Sequence, residues 1–269
     1  MISHQHTAGR APPLDGARPA ANCVPMFPIR DHNPSGRIPY VTYLLMVANI
    51  VIFISYVGLF NDPRALNAFF NVYAAIPARI TSGDGMMTLV TSMFLHGGWM
   101  HLAGNMLFLW IFGDNIEDEM GHVPYLGFYL LSGIAAGLIQ VVASPYSGIP
   151  TVGASGAIAG VMGSYLLLFP KARVDILLIL IVFFRVFPIP AWILLAVWFG
   201  MQFIGGLGAD LEAGGVAYWA HAGGFVAGLL LTFPLWLKRG GTGFWRRTDG
   251  HPPHPEATYS RSRIPKVRR

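Results

Sequence analysis

A serine and a histidine in glycine-rich surroundings are the residues of this chain best suited to chemistry. Ser155 lies in the stretch TVGASGAIAG, and His221 lies in YWAHAGGFVAGLL. A hydroxyl beside an imidazole is a nucleophile beside its general base. His101 and Asn105 are spaced i and i+4, so on a helix both side chains point the same way. Each can donate a hydrogen bond to a developing oxyanion, and the four residues together predict acyl-transfer chemistry.

The segments that must position these residues are strongly apolar. Of 269 residues, 54% are hydrophobic and 12% are charged, whereas an ordinary soluble domain has roughly 25% charged residues. Residues 40–60 and 124–142 contain no charged side chain at all. Such runs match the ~20 residues that a helix needs to cross ~30 Å of hydrocarbon. The composition predicts a polytopic membrane protein.

Six membrane spans are predicted, and they divide the chain into three parts. The spans lie at residues 40–60, 99–113, 124–142, 154–169, 190–206 and 216–237. The apolar segment 175–188 is too short to cross a bilayer, so we expect it to be re-entrant or interfacial. The sequence thus predicts an all-α bundle of six transmembrane helices over residues 39–238. A disordered leader, 1–38, precedes it, and a basic tail, 239–269, follows it.

The basic residues predict the orientation in the membrane. With the N-terminus in the cytoplasm, sixteen of the eighteen Lys and Arg residues fall inside, and only Arg64 and Arg79 fall outside. The positive-inside rule favours this arrangement. We therefore expect both termini to be cytoplasmic, in a plasma (inner) membrane. The nine basic residues from Lys238 to Arg269 could bind nucleic acid, but we expect them to contact anionic lipid instead.

This topology places the four polar residues at one depth. Ser155 starts the fourth span, His221 lies near the start of the sixth, and His101 and Asn105 lie early in the second. All three spans begin at the extracytoplasmic face. Polar groups inside a bilayer are costly, face the bundle interior and mark functional sites. Small residues that would let the fourth and sixth spans approach closely are Gly156, Ala159, Gly160, Gly163, Gly224 and Gly228.

Each of these residues also has a purely structural interpretation. A serine at a helix start is commonly an N-cap, and His101 and Asn105 could join helices at about 0.6 kcal/mol each. His96 lies ~140° round a helix from His101, and we expect it to be structural. Asp210 or Glu212 could orient the imidazole of His221.

The sequence contains few of the motifs that bind metals or cofactors. No HExxH motif occurs, and Cys23 is the single cysteine. We therefore expect neither a metal site nor a cofactor.

Four motifs, taken in order, resemble those of the rhomboid intramembrane serine proteases. They are the His101/Asn105 pair, LWIFGDNIEDEMG, GASGAIAGVMG and AHAGGFVAG, within residues 86–230. The resemblance implies a six-helix bundle in which Ser155 is the nucleophile and His221 the general base, without an aspartate. It implies oxyanion donors from His101, Asn105 and the Ser155 backbone N–H. The implied structural positions are Gly153, Gly224, Gly228, Glu117 and Gly121.

Two features depart from the family pattern. Met87 and Thr88 stand where some rhomboids have Trp and Arg, and Ala159 stands where some have a tyrosine stacked on the histidine. We therefore expect Trp219, or an aromatic residue of the fifth span, to hold the ring of His221.

The function that these residues predict is proteolysis inside the membrane. The predicted enzyme cleaves transmembrane helices of other proteins near their extracytoplasmic ends. A scaffold that binds such helices without cutting them is the alternative, and a transporter is the third hypothesis.

Overall fold

The chain forms a helical bundle with a small sheet at one end. The computed structural model describes residues 26–33, 35–180, 183–210 and 214–253. Within those ranges the helices are α1 (Tyr40–Tyr56), α2 (Pro63–Tyr73), α3 (Pro77–Thr81), α4 (Thr88–Thr91), α5 (Trp99–Met120), α6 (His122–Ala143), α7 (Ser155–Leu168), α8 (Ala191–Gly208), α9 (Tyr218–Lys238) and α10 (Thr242–Thr248). Short 3-10 turns occupy Val57–Asn61 and Ser92–Phe94.

Helices α1, α5, α6, α7, α8 and α9 lie at the six predicted spans. Four of the six, α1 with its following turn, α6, α8 and α9, are long and apolar enough to cross a membrane. Helix α5 has 22 residues but ends in the acidic sequence DNIEDEM, and α7 has only 14 residues. The predicted positions of the helices are therefore found, and four of them meet the length and composition of a span.

A three-stranded antiparallel sheet replaces two features predicted from the sequence. Strand β2 (Arg173–Leu180) pairs with β3 (Phe183–Pro190) and with β1 (Met26–Asp31), in the order β1-β2-β3. The segment 175–188, predicted to be re-entrant or interfacial, is thus most of a β-hairpin. The leader 1–38, predicted to be disordered, contributes a strand; its residues 1–25 lie outside the described residues.

The all-α prediction is therefore wrong for these strands, and the reason is backbone hydrogen bonding. A segment too short to span as a helix must still pair its N–H and C=O groups. The β2 sequence RVDILLIL is rich in aliphatic residues, and its hairpin with β3 supplies partners on one edge. The other edge is paired by β1, from a distant part of the chain.

Strand β1 is tied to the bundle by a half-buried carboxylate. Oδ2 of Asp31 accepts hydrogen bonds from the Tyr165 hydroxyl at 3.0 Å and from Asn115 Nδ2 at 2.8 Å. Burial and the neighbouring carboxyl of Asp114 raise the pKa of Asp31 from 3.8 to about 7. The strand thus meets α5 and α7 at the ends remote from Ser155.

The packing of α7 against α9 is a contact between backbones. A Cβ added to Gly224 would overlap the carbonyl oxygen of Gly156, and one added to Gly228 would overlap that of Gly160. Toward α6, a Cβ on Gly156 would lie 2.6 Å from the Cβ of Ala136. Small residues allow this separation, which no larger side chain would permit. Helix α7 is consequently the buried centre of the bundle.

Glu117 holds three helices together at the end of the bundle that carries the sheet. Its side chain is 1% exposed. It accepts hydrogen bonds from the backbone N–H groups of Val41 and Thr42, at 2.8 Å each, and from the Thr42 hydroxyl at 2.7 Å. Nδ1 of His122 lies 2.6 Å from its Oε1. Since those N–H groups begin α1, the carboxylate caps that helix and joins it to α5 and α6.

Arg79 organises the loop between α1 and α5, in which Met87 and Thr88 were noted above. Its guanidinium bonds the Asp84 carboxylate through Nη2 at 2.8 Å and through Nε at 3.1 Å. It also donates to the backbone carbonyl of Asn71. An arginine thus holds this loop together, but it is Arg79 and not a residue at the position of Met87 and Thr88.

Candidate active site

An extended loop precedes Ser155, the first residue of α7, and contains Gly153, which has a positive φ. Thr151 pairs with Ala75 in an isolated β-bridge, and the Gly153 N–H donates to the Ser92 carbonyl at 2.9 Å. Gly153 has φ 130°, which L side chains rarely adopt. The chain turns there, so that α7 begins at Ser155.

The hydroxyl of Ser155 lies against the imidazole of His221. The two atoms Oγ and Nε2 are 2.7 Å apart. The N-cap of α7 is Ala154, so the N-cap interpretation of Ser155 does not hold. His221 lies in the first turn of α9, and the backbone packing of α7 against α9 sets the separation of the two residues.

Helix α8 holds the other side of the His221 ring. Nδ1 of His221 lies 2.8 Å from Oε1 of Gln202. The Trp198 ring packs on the imidazole, with centroids 5.9 Å apart and planes inclined by 32°. This is the expected aromatic residue of the fifth span. The other candidate, Trp219, packs edge-on against Phe203 instead.

His101 and Asn105 face the same place from α5. The Gly97 backbone N–H donates to Nδ1 of His101 at 3.2 Å, so the proton of this ring is on Nε2. That Nε2 would lie 2.8 Å from a Cβ added to Gly153. Nδ2 of Asn105 donates to the His101 carbonyl at 3.0 Å, which leaves its second hydrogen for a ligand. Both side chains can therefore donate toward Ser155.

His96 forms part of the wall behind these residues. It is fully buried, and its ring packs edge-on against His101, with centroids 5.1 Å apart. The Tyr56 hydroxyl bridges its backbone, donating to the His96 carbonyl and accepting from the His96 N–H. His96 thus contacts the site through the His101 ring.

All four polar residues line one cavity of about 880 Å³. Its wall also contains apolar and polar side chains from α6 and the residue after it, from α7 and α8, and from α9 and the loop before it. Among them are Gln140, Ser144, Ile158, Met162, Trp198, Asp210 and Tyr218. A cavity of this volume is large enough for a drug-sized ligand or a few residues of a peptide.

Sequence reasoning missed Gln202 and looked for a carboxylate in its place. Asp210 lines the cavity, and Glu212 lies outside the described residues. The Nδ1 partner of His221 in the structure is the amide of Gln202. One signal was present, because Gln202 is a lone amide in the apolar helix sequence AWILLAVWFGMQFIGGLG.

Comparisons with known proteins identify the family. Residues 83–238 match the Rhomboid domain family. Rhomboid protein 1, mitochondrial, of Saccharomyces cerevisiae is 29% identical over 213 residues, which are 77% of this chain and 55% of that protein. Rhomboid protease GluP of Bacillus subtilis is 36% identical over 130 residues, which are 48% of this chain and 24% of that protein. The chain thus spans about half or less of the length of these relatives. Because the domain match covers more than half of the chain and its helices are apolar, this is an integral membrane protein of the rhomboid family.

Proposed function

We propose that the protein is an intramembrane serine endopeptidase that hydrolyses peptide bonds in or near transmembrane helices of membrane-protein substrates. The observation that carries this proposal is the 2.7 Å separation of Ser155 Oγ and His221 Nε2 at the wall of the cavity. His101 and Asn105 line the same wall. Membership of a family that includes named rhomboid proteases supports the same reaction.

The geometry suits acyl transfer in two steps. Nε2 of His221 takes the proton of Ser155 as Oγ attacks the scissile carbonyl carbon. The carbonyl oxygen becomes an oxyanion, and the donors available to it are Nε2–H of His101, Nδ2–H of Asn105 and the backbone N–H of Ser155. The protonated imidazole then gives its proton to the leaving amine. Water, activated by the same imidazole, attacks the acyl-enzyme and releases the second product.

The substrate helix must unwind locally before it can be cut. A peptide bond within a helix is shielded, and its carbonyl is bonded to the N–H four residues further on. Unwinding in lipid leaves amides unsatisfied at several kcal/mol each, whereas the cavity offers donors to replace them. Substrates are therefore helices with Gly or Pro near the extracytoplasmic end, with a small residue before the scissile bond.

The helices at the six predicted spans are proposed to cross a plasma (inner) membrane with both termini in the cytoplasm. Helix α7 is about 20 Å long, with Ser155 at one end. Basic residues gather at its other end, where the Lys171 N–H donates to the Gly250 carbonyl and Arg239 pairs with Glu119 at 2.7 Å. This distribution supports the proposal that Ser155 lies toward the outer leaflet and that the basic tail contacts anionic lipid. Residues 254–269 of that tail lie outside the described residues.

Binding of transmembrane helices without cleavage is the alternative function. Some relatives have names without the word protease, such as Rhomboid-like protein 11, chloroplastic, of Arabidopsis thaliana. The bond between Ser155 and His221 favours cleavage, because a scaffold has no need of an activated hydroxyl.

A serine-directed fluorophosphonate tests the proposed reaction. We expect the purified wild-type protein to be labelled at Ser155, and the variants Ser155→Ala and His221→Ala to be unlabelled and inactive on a single-span substrate. Ser164→Ala is the matched control, because it removes a buried serine of the same helix that bonds Thr232 and not the cavity. If Ser155→Ala retains full turnover, or wild type is neither labelled nor active, the serine mechanism is wrong.

A further inference from the structure

Gln202 is a polar residue of α8 whose side-chain oxygen faces His221. Helix α8 is otherwise apolar, and Gln202 is 8% exposed. Its side-chain oxygen lies 2.8 Å from Nδ1 of His221, and its side-chain nitrogen lies 3.3 Å from the Trp198 carbonyl. Both ends of the amide therefore have a partner.

The bond to Trp198 determines which end of the amide faces the imidazole. A backbone carbonyl accepts and never donates, so it requires the NH₂ group of Gln202. Oε1 is consequently left to face His221. In the reverse orientation, Oε1 would lie against the Trp198 carbonyl, with two acceptors in contact and no proton between them.

The orientation of the amide in turn determines the tautomer of the imidazole. Oε1 can only accept, so Nδ1 of His221 must carry the proton. Nε2 then has a free lone pair, and this is the atom 2.7 Å from Ser155 Oγ. An uninterrupted series of hydrogen bonds thus runs from the Trp198 backbone to the nucleophile.

We propose that Gln202 is a positioning residue that holds His221 in the tautomer able to take the proton of Ser155. The inference rests on the proposed function, because it specifies how that dyad is prepared. In serine proteases with an aspartate, the carboxylate bonded to Nδ1 does this work. Here the neutral amide of Gln202 on α8 holds the imidazole. Trp198, one turn earlier on the same helix, supports the face of the ring.

An amide is suited to this position because it adds no charge to an apolar helix. An ionised carboxylate inside a bilayer is costly, whereas a glutamine with both ends hydrogen-bonded is satisfied. The amide dipole still points its negative end at Nδ1, and that end faces the imidazolium formed when Ser155 is deprotonated.

Two substitutions of similar length separate this role from packing. Gln202→Glu, in its neutral form, keeps an oxygen acceptor toward Nδ1 and an O–H that can donate to the Trp198 carbonyl, whereas Gln202→Met keeps the length but removes the acceptor. We expect Gln202→Met to lower kcat about 10- to 100-fold, as for the loss of a hydrogen bond to a charged group, with KM within two-fold of wild type. Gln202→Glu should recover most of that loss.

Val197→Met is the matched control, because it introduces the same side chain at an outward, 58% exposed position of α8. Its kcat and KM should equal those of wild type. Thermal unfolding of each variant confirms that it is folded. The inference is overturned if Gln202→Met keeps the kcat of wild type, or if folded Gln202→Glu and Gln202→Met lose kcat equally. Either result, obtained while Ser155→Ala remains inactive, leaves the proposed function standing.

Discussion

Replacing Gly153 by alanine perturbs the candidate oxyanion donor without touching the dyad. The backbone there has φ 130°, so an L side chain carries strain of about 1–3 kcal/mol. The new Cβ would lie 2.8 Å from Nε2 and 2.9 Å from Cε1 of His101, whereas ordinary contact begins at 3.4 Å. The imidazole must retreat by about 0.6 Å or rotate away.

A displacement of this size is enough to remove a hydrogen bond to an oxyanion. Loss of one such donor costs about 10²- to 10³-fold in kcat. The same Cβ would lie 3.4 Å from Ser155 Oγ, which is a tolerable contact, so the dyad should survive. We therefore expect Gly153→Ala to lower kcat by about 10²-fold and the unfolding temperature by several degrees.

The assay is cleavage of a single-span substrate in proteoliposomes, with kcat and KM determined separately. Gly148→Ala is the control, because it lies in the same loop, and an added Cβ would meet nothing within 4 Å. It should behave as wild type. Turnover of Gly153→Ala within a few-fold of wild type would refute the placement of His101 as a donor, and equal damage from Gly148→Ala would show general intolerance of the loop.

Three further predictions concern Asn105, strand β1 and topology. Asn105→Ala should lower kcat by about 10²-fold with the fold intact, measured in the same assay; an unchanged kcat would exclude it as an oxyanion donor. Since the folded pKa of Asp31 is about 7, above its ordinary 3.8, the folded state holds a proton that the unfolded chain releases, and stability falls as pH rises from about 4 to 7. Hydrogen exchange of β1, corrected for intrinsic rates, should be faster at pH 8 than at pH 6, and Asp31→Asn should abolish most of that difference. An impermeant thiol reagent should label Cys23 only after the membrane is opened, and labelling of intact cells would reverse the proposed orientation.

Much of the bundle could be predicted from the sequence because membrane helices are encoded locally. Each of the six helices at the predicted spans corresponds to an apolar run, so its position follows from composition alone. The convergence of Ser155, His221, His101 and Asn105 was predicted from their common depth, since a shared depth and an inward face leave little freedom in a small bundle.

The sheet could not be predicted, because its pairing depends on residues far apart in the chain. Strand β1 is short, and its partner in the register, such as Asp175 for Arg30, lies 145 residues away. The same limit applies to Gln202. A single glutamine in an apolar helix does not reveal which histidine it faces until α8 and α9 are packed together.

The contact of α7 with α9 restricts how members of such a lineage can diverge. Gly224 lies against the Gly156 carbonyl and Gly228 against that of Gly160, so at these two contacts no side chain lies between the helices to be enlarged or shortened. Substitutions at these glycines therefore cannot change the distance from Ser155 to His221 in small steps. Helix α8 meets the histidine through the side chains of Trp198 and Gln202, which can be exchanged one at a time. Variation in catalytic rate among descendants should accordingly accumulate on α8, while the glycines of α7 and α9 stay unchanged.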